Sequence, residues 1–122
     1  MRIRLKNIHE SRSRGDGVRV LVEREWPFGI RREDLRIDLW LKDLAPSDKL
    51  INWYDNDPDR WEEFRSHYFE ELDNDDDTVD LLLAETGQKT ITLVYTSGAV
   101  VHSHATALKE YLEEKMLDRL AA

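Results

Sequence analysis

The sequence predicts an α/β fold: a single compact domain with a mostly parallel central sheet and helices packed on its faces. Two β-branched apolar runs, residues 18–23 and 90–95, read as buried central strands. Apolar side chains elsewhere recur at spacings of three and four, the period of a helix face. At 122 residues, with no internal repeat or linker, the chain matches one domain.

In residues 2–8, Ile3 and Leu5 face one way and Arg2, Arg4 and Lys6 the other, which predicts a half-exposed first strand. A loop through Gly15 and Gly17 leads into the strand at 18–23, and Pro27 and Gly29 break the backbone after it. A charged turn follows, then DLWLKDLAPS, read as a short helix that stops before Pro46. Ser47 is placed to cap the next helix, whose Leu50, Ile51 and Tyr54 lie a turn apart. Asp57 and Pro58 open a longer helix with Trp61, Phe64, Tyr68 and Leu72 on one face. After the acidic run 75–77 another helix turns Val79, Leu82 and Leu83 inward and ends at Gly87. Following the second buried strand, TSGAVVHSH leads to a last helix with Ala105, Leu108, Leu112 and Met116 on one face.

The net charge of −8 conceals a polarised chain. Residues 1–36 carry ten Lys or Arg against six Asp or Glu, and residues 37–122 carry eight against twenty. An acidic surplus repels polyanions over most of the surface, so nucleic acid would have to meet the amino-terminal third. Twelve Arg to six Lys on an acidic chain is a composition that suits a high-salt cytoplasm and also occurs in ordinary acidic proteins. The absence of cysteine excludes disulfides, thiolate metal sites and cysteine nucleophiles. No apolar run has the length of a signal peptide or membrane span, so a cytoplasmic protein is expected.

Chemistry concentrates where the two buried strands end. Parallel strands bring their following loops to one edge of the sheet, so Arg24, Tyr95 and His104 are expected to line one pocket. Arg24 can hold a phosphate or carboxylate in its planar fork, or pair internally with Glu23 and Glu25. Trp26 stacks on a ligand or closes the core beneath the loop. Ser97 and Ser103 supply hydroxyls, Gly98 allows close backbone approach, and a helix start after Ser103 offers amides to an anion. His104 in that first turn is the candidate catalytic residue, a neutral imidazole placed to move a proton; the alternative is a histidine that caps the helix or bonds a loop carbonyl. Complete GxGxxG, P-loop and G-x-S-x-G patterns are missing. His102 and His104 lie two apart without an acid at zinc-site spacing, so neither a metal nor another cofactor is expected.

The chain resembles the YeaO-like family, a domain of unknown function, through DGVRVLVEREWPFGI, LWLKDLAPS, NDPDRWEEFRSHYFEEL, TLVYTS and HSHATALKEYL, which together span about Lys6 to Glu114. The resemblance implies a compact α/β domain of unassigned activity. Arg24, Trp26, Pro27, Gly29, Tyr95 and His104 match the family pattern. Phe28 stands where the family has arginine, a basic residue is usual near Gly98, and asparagine is usual at Ser103, so two positive charges are missing at the presumed site.

Two functions follow from these features. One is a binding or catalytic domain that holds a small anionic ligand, such as a nucleotide or phosphorylated metabolite, at the strand-end loops. The other is a noncatalytic nucleic-acid or protein interaction module that displays Arg2, Arg4, Arg12, Arg14, Arg31 and Arg32.

Overall fold

The computed structural model describes residues 2–87, 89–96 and 103–121. Strands β1 (Ile3–Asn7), β2 (Val18–Leu21), β3 (Leu39–Trp40) and β4 (Ile91–Tyr95) form one sheet in the order β1-β4-β2-β3, with every pairing parallel. Ile91 of the central strand β4 aligns with Ile3 on one side and Val18 on the other. Among the described residues five α-helices accompany it: α1 (Arg32–Leu35), α2 (Asp48–Tyr54), α3 (Trp61–Asp73), α4 (Asp76–Thr86) and α5 (His104–Ala121). None of the described helices is long and apolar enough to cross a membrane.

The period-two alternation of the strands divides two cores. Val20, Val22, Ile91 and Leu93 share the larger core with α2, α3, α4 and α5. Leu21 and Val94 point to the other face, where Leu35 of α1 and the partly buried Trp26, Ile30, Ile37 and Trp40 cover them. Farther along that second face the sheet is polar. Lys6, Arg19 and Thr92 are buried around Asp16, which the sequence pattern did not anticipate when it assigned Lys6 to solvent. Asp16 accepts from Lys6 Nζ at 2.7 Å, from Arg19 Nη1 at 2.7 Å and from Ser13.

The helix expected in DLWLKDLAPS is instead strand β3 followed by a single 3-10 turn, Lys42–Leu44. Leu39 and Leu41 pack on the larger core and Trp40 on the smaller one, an alternation that only an extended chain allows. Pairing with β2 and the bond from Trp40 Nε1 to Glu23 O, 2.7 Å, hold it there. The charged turn before it winds into the single turn of α1.

The predicted caps and stripes are present. Ser47 Oγ accepts from Leu50 N at 3.1 Å, and Asp57 accepts from Asp59 N at 3.0 Å ahead of α3. Trp61, Phe64, Tyr68 and Leu72 are all buried, as are Val79, Leu82 and Leu83 of α4. Ile51 departs from expectation: it is 39% exposed and faces the strand-end pocket.

Gly17 ends the turn before β2 at φ 63°, ψ −133°, backbone open chiefly to glycine. A Cβ there would stand 2.1 Å from the Thr90 carbonyl oxygen, which receives the Val18 amide. Gly17→Ala is therefore expected to destabilise the fold by about 2 to 3 kcal/mol. A urea midpoint within experimental error of the parent would show that β2 starts without this close approach.

Candidate functional site

Because all four strands are parallel, their carboxyl ends share one edge, and a cavity of about 640 Å³ opens there. Each strand contributes to its wall. Ile8 and His9 follow β1, Glu23 to Phe28 follow β2, Ala45 and Pro46 follow β3, Thr96 follows β4, and Ser103 and His104 begin α5.

Arg24, Trp26, Ser103 and His104 are thus brought to one cavity. Tyr95 is not among its described lining residues; its ring packs edge-on to His104, with centroids 6.5 Å apart. Ser97, Gly98 and His102 lie outside the described residues.

Arg24 pairs with neither flanking glutamate. Its Nε donates to Pro46 O at 2.9 Å and its Nη2 to Ala45 O at 3.1 Å, which ties the loop after β2 to the loop after β3. That second loop is held from below as well. The Tyr68 hydroxyl donates to Leu44 O, and Glu71 accepts from Ser47 N at 2.8 Å and Ser47 Oγ at 2.6 Å. Burial raises the Tyr68 pKa well above the usual phenol value, and the charges of Glu23 and Glu71 push it further while Arg24 opposes them, so Tyr68 remains a protonated donor.

The unforeseen member of the site is Glu23. Its Oε2 lies 2.7 Å from His104 Nε2, and its Oε1 accepts from the Thr96 hydroxyl. His104 Nε2 also contacts Val22 O at 2.9 Å. A carbonyl oxygen can only accept, so Nε2 carries the ring proton and Nδ1 is the nitrogen left for other partners. The proton is aligned on Val22 O, and the approach to Glu23 Oε2 is a close contact without hydrogen-bond alignment; that buried oxygen has no hydrogen-bond partner among the described residues. His104 consequently bonds a strand-end carbonyl, and the pair spans 82 positions that no local spacing could connect.

Trp26 packs on the smaller core and also borders the cavity. Its ring meets Trp40 edge-on at 5.6 Å with the Arg32 guanidinium 5.0 Å from its centroid, and it also lines the cavity. Its Nε1 donates to Ile30 O at 2.6 Å across the turn that carries Phe28, and Phe28 is fully exposed at the rim. Among the described residues no three His, Cys, Asp or Glu side chains group as a metal site would require.

The family model described as the inactive DUF488-N3 subclade matches residues 2–121. Uncharacterized proteins of Mycobacterium tuberculosis and Mycobacterium bovis are 42% identical over 111 residues, covering 91% of this chain and 93% of the relative. The uncharacterized protein YeaO of Escherichia coli is 30% identical over 112 residues, covering 92% of this chain and 97% of YeaO. No solved structure matches. With a family model spanning nearly every residue and YeaO aligned along almost its whole length, the chain belongs to the YeaO-like proteins of the inactive DUF488-N3 subclade.

Proposed function

We propose that this protein is a noncatalytic domain that binds a small ligand in the cavity at the carboxyl ends of its strands. The observation that carries the reading is the convergence of all four strand-end loops, with Arg24, Trp26, Ser103 and His104, on one cavity of a size that suits a small molecule. The description of the matching subclade as inactive supports binding without turnover. His104 then acts as a fixed wall group through Nδ1 rather than as the proton carrier that its position in sequence suggests.

The small anionic ligand expected from Arg24 meets an unfavourable charge balance. Arg24 already donates to two carbonyls, while Glu23, Glu25 and Asp48 line the same cavity. Three carboxylates around one committed guanidinium favour a ligand that is neutral, cationic or rich in hydrogen-bond donors.

The interaction-module reading loses part of its basis in the folded chain. Lys6 and Arg19 are buried on Asp16, Arg4 lies 3.7 Å from it, and Arg31 contacts Glu33 and Asp34 at 3.6 and 3.3 Å. Arg2, Arg12, Arg14 and Arg32 stay exposed, so the module reading keeps that part of its basic surface.

Two-dimensional NMR of the full chain during titration with nucleosides, nucleoside monophosphates and inorganic phosphate tests the proposal. Signals of residues 23–30, 45–48 and 103–106 are expected to move saturably while the added compound stays chemically unchanged. Perturbation confined to residues 2–14, together with RNA binding that falls steeply with salt, would overturn it in favour of the interaction module.

A further inference from the structure

We infer that the ligand of this cavity carries a planar aromatic ring with N–H donors and no phosphate, and that Phe28 is the side chain that stacks on that ring. The inference rests on the binding reading above and adds the chemical class of the ligand.

The first support is how Phe28 is displayed. Pro27, Phe28, Gly29 and Ile30 form a tight turn in which Ile30 N donates to Pro27 O at 3.4 Å and Gly29 takes φ 79°. A positive φ at the third position is the signature of a type II turn, which glycine supplies without strain. Buried Pro27 and the Trp26 Nε1 bond to Ile30 O pin both sides of the turn. The aromatic ring therefore stands on a fixed support, fully in water, at the rim of the cavity. An exposed large aromatic held at the mouth of a pocket is a ready-made face for a flat ligand, and stacking accepts any ring with a π-face.

The second support is the chemistry of the other lining residues. Glu25 and Asp48 line the cavity and are exposed, and neither carboxylate has an ion-pair or hydrogen-bond partner among the described residues. Glu23 adds a third negative charge, largely buried, in the same wall. Free carboxylates accept paired N–H donors such as those on the edge of a purine, and they repel a phosphate. Trp26 and Tyr54 add further aromatic surface to the lining. Aromatic faces and unpaired acceptors in one lining fit a nucleoside-like ligand better than a nucleotide.

Calorimetric titration of the full chain with guanosine, adenosine, guanosine monophosphate and inorganic phosphate decides it. At least one nucleoside is expected to bind more tightly than the monophosphate, and phosphate alone is expected not to bind. Phe28→Ala should weaken nucleoside binding about tenfold, Phe28→Trp should retain it, and Asp48→Asn should weaken it several-fold. Because Phe28 makes no buried contact, its removal should leave the melting temperature unchanged, so lost binding reads as a lost ligand contact. Tighter binding of the monophosphate or of phosphate, or a Phe28→Ala variant that binds nucleosides as the parent does, would overturn the inference while leaving the cavity as a binding site. Absence of binding by every probe would overturn both readings.

Discussion

Phe64→Ala is expected to remove about 3 to 5 kcal/mol of stability, a large fraction of the roughly 5 to 15 kcal/mol available to a domain of this size. Phe64 is fully buried in the first turn of α3. Its ring stacks on Tyr54 of α2 at 4.4 Å, lies 5.7 Å from Trp61 and approaches Tyr68 at 5.9 Å. Truncation deletes the ring's transfer energy, leaves a cavity between rigid helices and breaks several aromatic contacts at once. The effect reaches the candidate site, because Tyr54 lines the strand-end cavity and Tyr68 holds the Leu44 carbonyl beneath it. Trp61→Ala should act in the same direction. Urea unfolding followed by circular dichroism checks both; a loss below about 1 kcal/mol for Phe64→Ala would mean that α2 and α3 do not share this core.

That prediction could be made from the sequence because burial leaves a periodic trace. Trp61, Phe64, Tyr68 and Leu72 mark one helix face, and the runs at 18–23 and 90–95 mark strands buried on both sides. Strand β3 left no such trace. Two residues are too few to establish a period, and Leu41 and Leu44 imitate a helical spacing that the pairing with β2 overrides. The second face of the sheet was equally obscure, since Arg4 and Lys6 alternate with apolar neighbours as solvent-facing residues would.

At the candidate site, topology made more legible than chemistry did. Parallel strands were enough to bring Arg24 and His104 to one edge, without any contact being known in advance. What each side chain does there depends on partners distant in sequence. Arg24 finds the carbonyls of Ala45 and Pro46, not the glutamates beside it, and Glu23 finds His104 and Thr96. Adjacent residues of an extended segment point in opposite directions, so neighbours in sequence are poor candidates for an ion pair there. After β2 ends at Leu21 the chain bends at Arg24, and Glu23 meets His104 at the start of α5 while Arg24 reaches the loop after β3.

Asp16→Asn is expected to destabilise the protein by about 3 to 5 kcal/mol at neutral pH, because it removes the charge that compensates two buried cations. Asp16 is 1% exposed, Arg19 2% and Lys6 8%. Arg19 also donates to Leu35 O at 2.9 Å and Arg36 O at 3.1 Å, and Thr92 Oγ1 donates to Asp16 O at 2.7 Å. The cluster therefore joins β1, β2, β4 and the end of α1 on the polar half of the second sheet face. Burial by itself pushes the Asp16 carboxyl up, but hydrogen bonds from Lys6, from the Ser13 amide and hydroxyl, and from Arg19 outweigh it and hold the group well below its ordinary value of 3.8. A folded-state pKa below the unfolded one means that ionised Asp16 stabilises the fold fully above the unfolded value and loses that contribution as pH falls through the folded one. The gap between parent and Asp16→Asn should accordingly stay constant from pH 7 to about pH 5 and shrink steadily below pH 4. Urea melts across that range measure it. A gap under about 1 kcal/mol at pH 7, or one that widens on acidification, would show that Lys6 and Arg19 are satisfied without the carboxylate and that the polar half of the sheet face is held by its carbonyl bonds alone.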